Sequence, residues 1–455
     1  VVQRTRSTGT KTGIATRRLP ALLVAGGFAA LIAIGTLLLM LPASTENGRG
    51  SDLITALFTS TSAVCVTGLV VVDTPTYWSA AGEVVIMCLI QLGGLGIMTL
   101  ASLLSLLVLR RFGLRMRLTA QAETKTLGLG DVRRVLGRIV VLAVAFETVV
   151  ALALAARLSL GYDLPLGRAV YEGVFHAVSA FNNAGFALYS DNLIGFATDP
   201  YFCLPIAFAV IAGGLGFPVL LEIGRRFGRP GRWSLHTRIT LWGTAVLLAG
   251  GGAAITVTEW ANPATLGPLG APGKLLAGFF AGVMPRTAGF NNLDVGGMYP
   301  GTLLMQDVLM FIGGGSAGTA GGIKITTFAL LAFVIYAEIR GEPTVHVMGR
   351  RLPEGVQRQA LTIALLGVAL VMTCTLVLLA ITPFGVDQVL FETVSAFATV
   401  GLSTGITPEV GAGGQVLLVL LMFIGRLGPV TLASALALRD RMRRYERPEE
   451  RPIVG

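Results

Sequence analysis

Four glycines, Gly68, Gly185, Gly289 and Gly401, stand in matched surroundings a little over 100 residues apart, and any fold must satisfy all four. Ten positions before each lies a phenylalanine: Phe58, Phe175, Phe279 and Phe391. Six and five positions before three of them lies Ser-Ala, as Ser62-Ala63, Ser179-Ala180 and Ser395-Ala396. The third copy departs, with Val283-Met284 followed by Pro285. After 24 to 28 residues each glycine is followed by a second cluster: Gly93-Gly94-Leu95-Gly96, Gly213-Gly214-Leu215-Gly216, Gly313-Gly314-Gly315 and Gly425-Arg426-Leu427-Gly428. Self-similarity of this kind marks a chain built from repeats.

The sequence between the glycines belongs in lipid. It is 53% apolar and 13% charged, where a soluble domain carries about a quarter charged residues. Windows of about 20 apolar residues, enough to span a hydrocarbon core, fall at 19–41, 83–109, 139–158, 201–223, 239–257, 303–336, 360–381 and 415–438. Eight spans put both termini on one side. The first run is too long for a signal peptide and lacks a small-residue cleavage site. A start without methionine suggests a trimmed or incompletely represented N-terminus.

Before each repeated glycine lies a stretch too short to cross: residues 56–63, 173–180, 275–282 and 389–396. Non-helical backbone at membrane depth survives only where protein buries it or it lines a watery cavity. A short helix that enters, turns at glycine and leaves as extended chain fits that rule. Four such turns around one axis would present rings of carbonyl oxygens, which replace the hydration shell of a cation. A glycine can also serve only close helix packing, but four at matched offsets favour the ring.

The net charge of +10 does not point to nucleic acid, because of where it sits. Basic residues collect in the N-terminal arm (Arg4, Arg6, Lys11, Arg17, Arg18), in loops 110–138, 225–238 and 340–358, and in the tail 439–451. The intervening loops hold only Arg49, Arg168, Lys274 and Arg286, with Arg157 at a helix end. This is the positive-inside pattern, which places both termini in the cytoplasm. Cys65, Cys88, Cys203 and Cys374 are scattered through apolar sequence and read as small buried hydrophobes. His176, His236 and His346 are isolated, so no side-chain metal site is expected.

The stretches TSAVCVTGL, HAVSAFNNAGF, GVMPRTAGFNN and ETVSAFATVGLSTG, with IGGGSAGTAGGIKITT and FIGRLGPVTL, resemble the Trk/Ktr/HKT superfamily of K⁺ transporters. The tail RYERPEERPIVG is similar to the end of Ktr-type membrane subunits. The resemblance covers essentially the whole chain. It implies an all-α integral membrane protein: eight transmembrane spans plus four re-entrant pore hairpins, in fourfold pseudo-symmetric M1–pore-helix–M2 repeats around a single central pore. Carried over by position, the filter carbonyls would come from Val66, Thr67 and Gly68; Asn183, Ala184 and Gly185; Thr287, Ala288 and Gly289; and Thr399, Val400 and Gly401. Serine at the first filter position accompanies Na⁺ preference in plant relatives; glycine at all four positions here implies K⁺. The family further implies a homodimer and a separate cytosolic KtrA-like ring that binds ATP or ADP, with Na⁺ as a second candidate ion.

The sixth apolar window is interrupted by Gly313-Gly314-Gly315-Ser316-Ala317-Gly318-Thr319-Ala320-Gly321-Gly322. Glycine costs about 1 kcal/mol per residue relative to alanine inside a helix, so the helix must break there. A break at membrane depth is a candidate gate, and the family's mobile intramembrane loop lies at this position. It is no Walker A phosphate loop, because Lys324 follows Ile323 and no Gly-Lys-Ser/Thr occurs. Gly128-Leu129-Gly130 lacks the third glycine of a dinucleotide fingerprint, so any nucleotide binds on another chain. Arg426 replaces a glycine found in the other clusters. A mid-span cation costs at least about 2.5–3.5 kcal/mol, so it is expected to act with the Gly-rich segment as a barrier or to tie backbone carbonyls. Asp73, Asp191, Asp294 and Glu409 flank the turns and could gather cations. Glu392 should bond local backbone.

The resulting division is a cytoplasmic arm at 1–18, pore repeats at 19–118, 119–232, 233–345 and 346–440, and a cytoplasmic tail at 441–455. A secondary solute transporter with broken helices would instead show two inverted halves and polar groups at mid-membrane. A Na⁺ or mixed Na⁺/K⁺ transporter would share the fold. An intramembrane enzyme would need a nucleophile–base pair or metal cluster within the spans, and the sequence offers neither.

Overall fold

A computed structural model of the chain describes residues 12–116 and 129–437. The start of the N-terminal arm, the segment 117–128 of the first basic loop and the family-like tail lie outside the described residues. Fifteen helices follow in order: α1 (Thr12–Leu39), α2 (Leu53–Val64), α3 (Thr74–Tyr77), α4 (Ala80–Met116), α5 (Leu129–Gly161), α6 (Leu166–Phe181), α7 (Pro200–Leu215), α8 (Phe217–Arg225), α9 (Leu235–Glu259), α10 (Ala271–Val283), α11 (Pro300–Phe311), α12 (Ile325–Ile339), α13 (Glu354–Ile381), α14 (Val386–Ala398) and α15 (Gly411–Ala437). A two-stranded hairpin pairs His346–Val347 with Arg350–Arg351 between α12 and α13.

Among the described residues, five helices, α4, α5, α9, α13 and α15, are long and apolar enough to cross a membrane. Their large apolar side chains stay exposed, as Val141 on α5 and Leu376 on α13 illustrate; a helix apolar all round needs lipid or protein on every side. The expected spans 201–223 and 303–336 differ from single straight helices. The first is α7 and α8, bent by 97°. The bend is at Gly216, whose φ of 91° suits glycine, with Pro218 closing off helix continuation. The second is α11 and α12, separated by the Gly-rich segment as expected. In α1, the apolar part with described side chains is Val24–Leu39.

The four predicted hairpins lie within α2, α6, α10 and α14. Each of these short helices packs on the second long helix of the preceding unit: α6 on α4, α10 on α7, α14 on α11, and α2 on α15. The circuit closes on itself. Glycine makes the contact between the second helices and the short ones close. Side chains at Gly93, Gly213 and Gly425 would overlap the backbone carbonyls of Val64, Phe181 and Phe397, each four residues before a repeated glycine. Gly313, the counterpart in the third unit, instead faces the carbonyl of Gly321 in its own segment.

Three cysteines, Cys65, Cys203 and Cys374, are buried as expected; Cys88 is exposed, on an outward face of α4 where lipid rather than protein suits an apolar thiol. Arg286, expected in a water-facing loop, is instead 6% exposed. It follows α10 directly and is enclosed where the third hairpin meets the Gly-rich segment.

Gly93→Ala, Gly213→Ala and Gly425→Ala should each lower the melting temperature in detergent, since overpacking costs about 1–3 kcal/mol. Gly137→Ala in α5, where a side chain meets nothing within 4 Å, should leave it unchanged or raise it. Equal melting of all four variants would contradict the backbone contact.

Candidate functional site

The short helices all end just before their glycines, and there the backbone changes hand. Val66, Asn183, Thr287 and Thr399 have φ of 55°, 61°, 70° and 50°. Two residues on, Gly68, Gly185, Gly289 and Gly401 have φ of 91°, 73°, 70° and 96°. Positive φ is unusual outside glycine, and for branched Val66, Thr287 and Thr399 it costs of the order of 1–3 kcal/mol. Alternation of hand turns successive peptide planes the same way, so N–H groups gather on one side and carbonyls on the other.

The N–H side is held by the helix that has just ended. Thr67, Ala184 and Val400 donate their backbone N–H to Ser62, Ser179 and Ser395 carbonyls at 2.7, 2.7 and 2.8 Å. The Ser62 and Ser395 hydroxyls accept from the N–H of Gly68 and Gly401, each at 3.0 Å. Ser179 Oγ instead donates to the Phe186 carbonyl at 2.8 Å. The repeated Ser-Ala is therefore the clasp of the turn. In the third segment, without that serine, Ala288 N–H closes one residue tighter on the Met284 carbonyl at 3.0 Å.

The four segments meet in chain order. A side chain at Gly68 would strike the Ala184 carbonyl; at Gly185, that of Ala288; at Gly289, that of Val400; and at Gly401, that of Thr67. All twelve predicted filter residues are buried. The four helix C-termini converge here, each bringing roughly half a negative charge from its peptide dipoles. That electrostatic setting would suit a cation, and the polar atoms the four segments bring together are backbone carbonyls. Among the described residues there is no cluster of His, Cys, Asp or Glu able to hold a metal.

The Gly-rich segment lies against the helix-terminal side of this ring. Gly315 and Thr319 donate N–H to the carbonyls of Gly214 and Gly213 at 2.8 and 3.2 Å. Thr319 Oγ1 donates to Asn183 Oδ1 at 2.9 Å, and a side chain at Gly321 would overlap the Thr399 hydroxyl. Two predicted cations bind its carbonyls: Lys324 Nζ donates to Ala320 and, at 3.3 Å, to Gly321, and Arg426 Nη1 donates to Thr319. Gly313, Gly314, Ala317, Gly318, Ala320 and Gly322 are buried; Ser316 is half-buried and bonds Thr326 at 3.2 Å. Of the two roles expected for Arg426, the carbonyl tie is present in the geometry.

Glu392 holds the chain that leaves the fourth segment, accepting from Ser403 Oγ at 2.5 Å, Thr404 N–H at 3.0 Å and Thr407 Oγ1 at 2.8 Å. Asp73, Asp191, Asp294 and Glu409 are exposed, and the three aspartates accept local bonds from Thr76, Gly195 and Gly296. Two contributors escaped sequence reasoning. Arg286 was counted as a loop charge, although its place three residues before Gly289 was a usable signal. Asn182 donates to Gln91 Oε1 at 2.7 Å and Glu147 Oε1 at 3.2 Å, a tie of the second segment to α4 and α5 that no local motif marks.

Residues 21–443 match the family model described as TrkH, cation transport protein. The chain is 41% identical over 420 residues to the Ktr system potassium uptake protein B of Bacillus subtilis (strain 168), covering 92% of this chain and 93% of that protein. It is 37% identical over 436 residues to the protein of the same description from Vibrio alginolyticus, covering 94% and 93%. It is 35% identical over 442 residues to the potassium/sodium uptake protein NtpJ of Enterococcus hirae, covering 96% and 97%. The crystal structure of the potassium transporter TrkH from Vibrio parahaemolyticus matches with a TM-score of 0.72 at 16% identity, over 94% of this chain and 86% of that one; this likeness concerns the fold.

Ser62→Ala and Ser395→Ala each leave a buried glycine N–H unpaired, a loss of about 1–3 kcal/mol. Each should reduce discrimination between K⁺ and Na⁺ in liposome flux while the detergent-purified protein remains monodisperse. Unaltered discrimination in both variants would remove the clasp from any role in the site.

Proposed function

Because this chain belongs to the TrkH family of cation transport proteins, and is on that ground not an enzyme, we propose that it is the membrane subunit of a potassium uptake system. K⁺ passes through a single central pore formed by four M1–pore-helix–M2 repeats at 19–118, 119–232, 233–345 and 346–440. The observation that carries this reading is the closed ring in which each of four glycines abuts the next segment's carbonyl. A ring of carbonyls with convergent helix C-termini offers a dehydrating K⁺ what water would. The names of the relatives at 41% and 37% identity support potassium in particular.

The spans number eight when the bent α7–α8 pair, the interrupted α11–α12 pair and α1 are each counted as one crossing. Basic loops then fall on the cytoplasmic side with both termini. The Gly-rich segment is the gate: it lies across the helix-terminal face of the ring, and its carbonyls are held by Lys324 and Arg426. Two cations with no carboxylate in ion-pair range among the described residues also repel a K⁺ leaving the filter. A homodimer docked on a cytosolic nucleotide-binding ring completes the assembly, and ATP or ADP acts on that ring. The potassium/sodium name of the Enterococcus relative favours a second reading, in which Na⁺ is carried or required.

Flux in proteoliposomes with K⁺, Rb⁺, Na⁺ or Li⁺ tests the filter. Wild type should favour K⁺ and Rb⁺, and Gly68→Ser, whose side chain would press on the Ala184 carbonyl, should lose that preference. Arg426→Ala should raise flux without altering preference. Wild-type flux indifferent to the cation would refute the K⁺ filter.

A further inference from the structure

Arg286 occupies a place that the gate reading leaves unused. It lies three residues before Gly289 and is 6% exposed. Its Nη2 reaches the Gly313 carbonyl at 3.5 Å, the outer limit of a hydrogen bond, and its Nη1 has no partner. Among the described residues no carboxylate lies in ion-pair range of it. A guanidinium carries five N–H donors, and enclosing one without an anion is expensive. A buried cation kept in such a setting needs a reason.

The surroundings supply one. Arg286 lines a small cavity of about 10 Å³ together with Gly214, Leu215, Thr244 and Gly314, close to the space of a single water. Thr244, on the same cavity, likewise has an unpartnered hydroxyl. On its backbone side, the Arg286 carbonyl accepts from Asn183 Nδ2 of the second filter segment at 3.5 Å. Arg286 thus stands where two filter segments, α7, α9 and the first residues of the Gly-rich segment meet.

Lys324 and Arg426 bind only the far half of that segment, at Thr319, Ala320 and Gly321. We infer that Arg286 is a positioning residue that anchors the near end, at Gly313, so that the Gly-rich segment is pinned at both ends by separate cations. The inference rests on the reading of that segment as the gate. Release at either end would let it leave the ring, and Arg286 links that release to the third filter segment, on whose backbone it sits.

The test uses the full chain in proteoliposomes without a cytosolic partner. K⁺ flux, K⁺/Na⁺ preference and detergent melting are measured for wild type, Arg286→Met, Arg286→Lys and a chain lacking residues 315–320. Arg286→Met removes this long charge-assisted contact and should raise basal K⁺ flux about tenfold with preference unchanged. Arg286→Lys, which keeps the charge but not the fork, should fall between. Increased flux in the deletion with none in Arg286→Met overturns the anchor and leaves the gate standing. No increase in the deletion overturns the gate itself. Lost preference in Arg286→Met would make it a filter support instead and also overturn the anchor. If Arg286→Met does not assemble, Arg286→Lys decides: flux equal to wild type overturns the inference.

Discussion

Each of the four repeated glycines sits so close to the next segment's carbonyl that no side chain fits between them, and the rest of the structure depends on keeping that close approach. Left alone, the turn would relax into helix or close on itself. What prevents relaxation is a left-handed residue two positions before each glycine, held by bonds from the N–H side. The strain at Val66, Thr287 and Thr399 is tolerable because Ser62, Ser395 and the adjoining helix ends over-determine the turn. Close seating of α4, α7 and α15 against α2, α6 and α14 then gives those helix ends no room to move.

The same economy of space governs the Gly-rich segment. It lies so near Gly214, Leu215 and Thr399 that side chains at Gly314, Gly315 or Gly321 would press on a neighbouring carbonyl or the Thr399 hydroxyl. Its own polar groups have little water to turn to, so neighbouring carbonyls and three cationic side chains satisfy them. Carbonyls of the segment face Lys324, Arg426 and, at longer range, Arg286. With so little water at hand, losing any one of these contacts would leave a buried polar group unsatisfied.

Much of this was legible in the residues. Recurrence of Phe, Ser-Ala and Gly at set offsets located the four turns, because a turn that needs glycine leaves glycine behind. The left-handed position before it was not legible, since Val66, Asn183, Thr287 and Thr399 share no residue type that announces positive φ. Interruption of the sixth apolar window was visible because ten residues of it are mostly glycine. The bend at Gly216 was hidden, because its cluster matches Gly93-Gly94-Leu95-Gly96, which continues as helix; the difference is Pro218 and a neighbour, Ala317, distant in sequence. Arg286 was misplaced because charge patterning counts cations along the chain and cannot see a re-entrant turn carry one back inside.

The closed circuit of α2, α6, α10 and α14 is drawn from one continuous chain, and its four quarters are not copies. In a pore assembled from identical subunits, any residue facing the axis appears four times, so a single arginine becomes a ring of four and a proline distorts every quarter. Here one turn closes tighter than the others, Arg426 stands on one helix, and α11 and α12 are parted by the Gly-rich segment. Linking the quarters covalently frees each to diverge, so that a charge can be present in one quarter and absent from the other three.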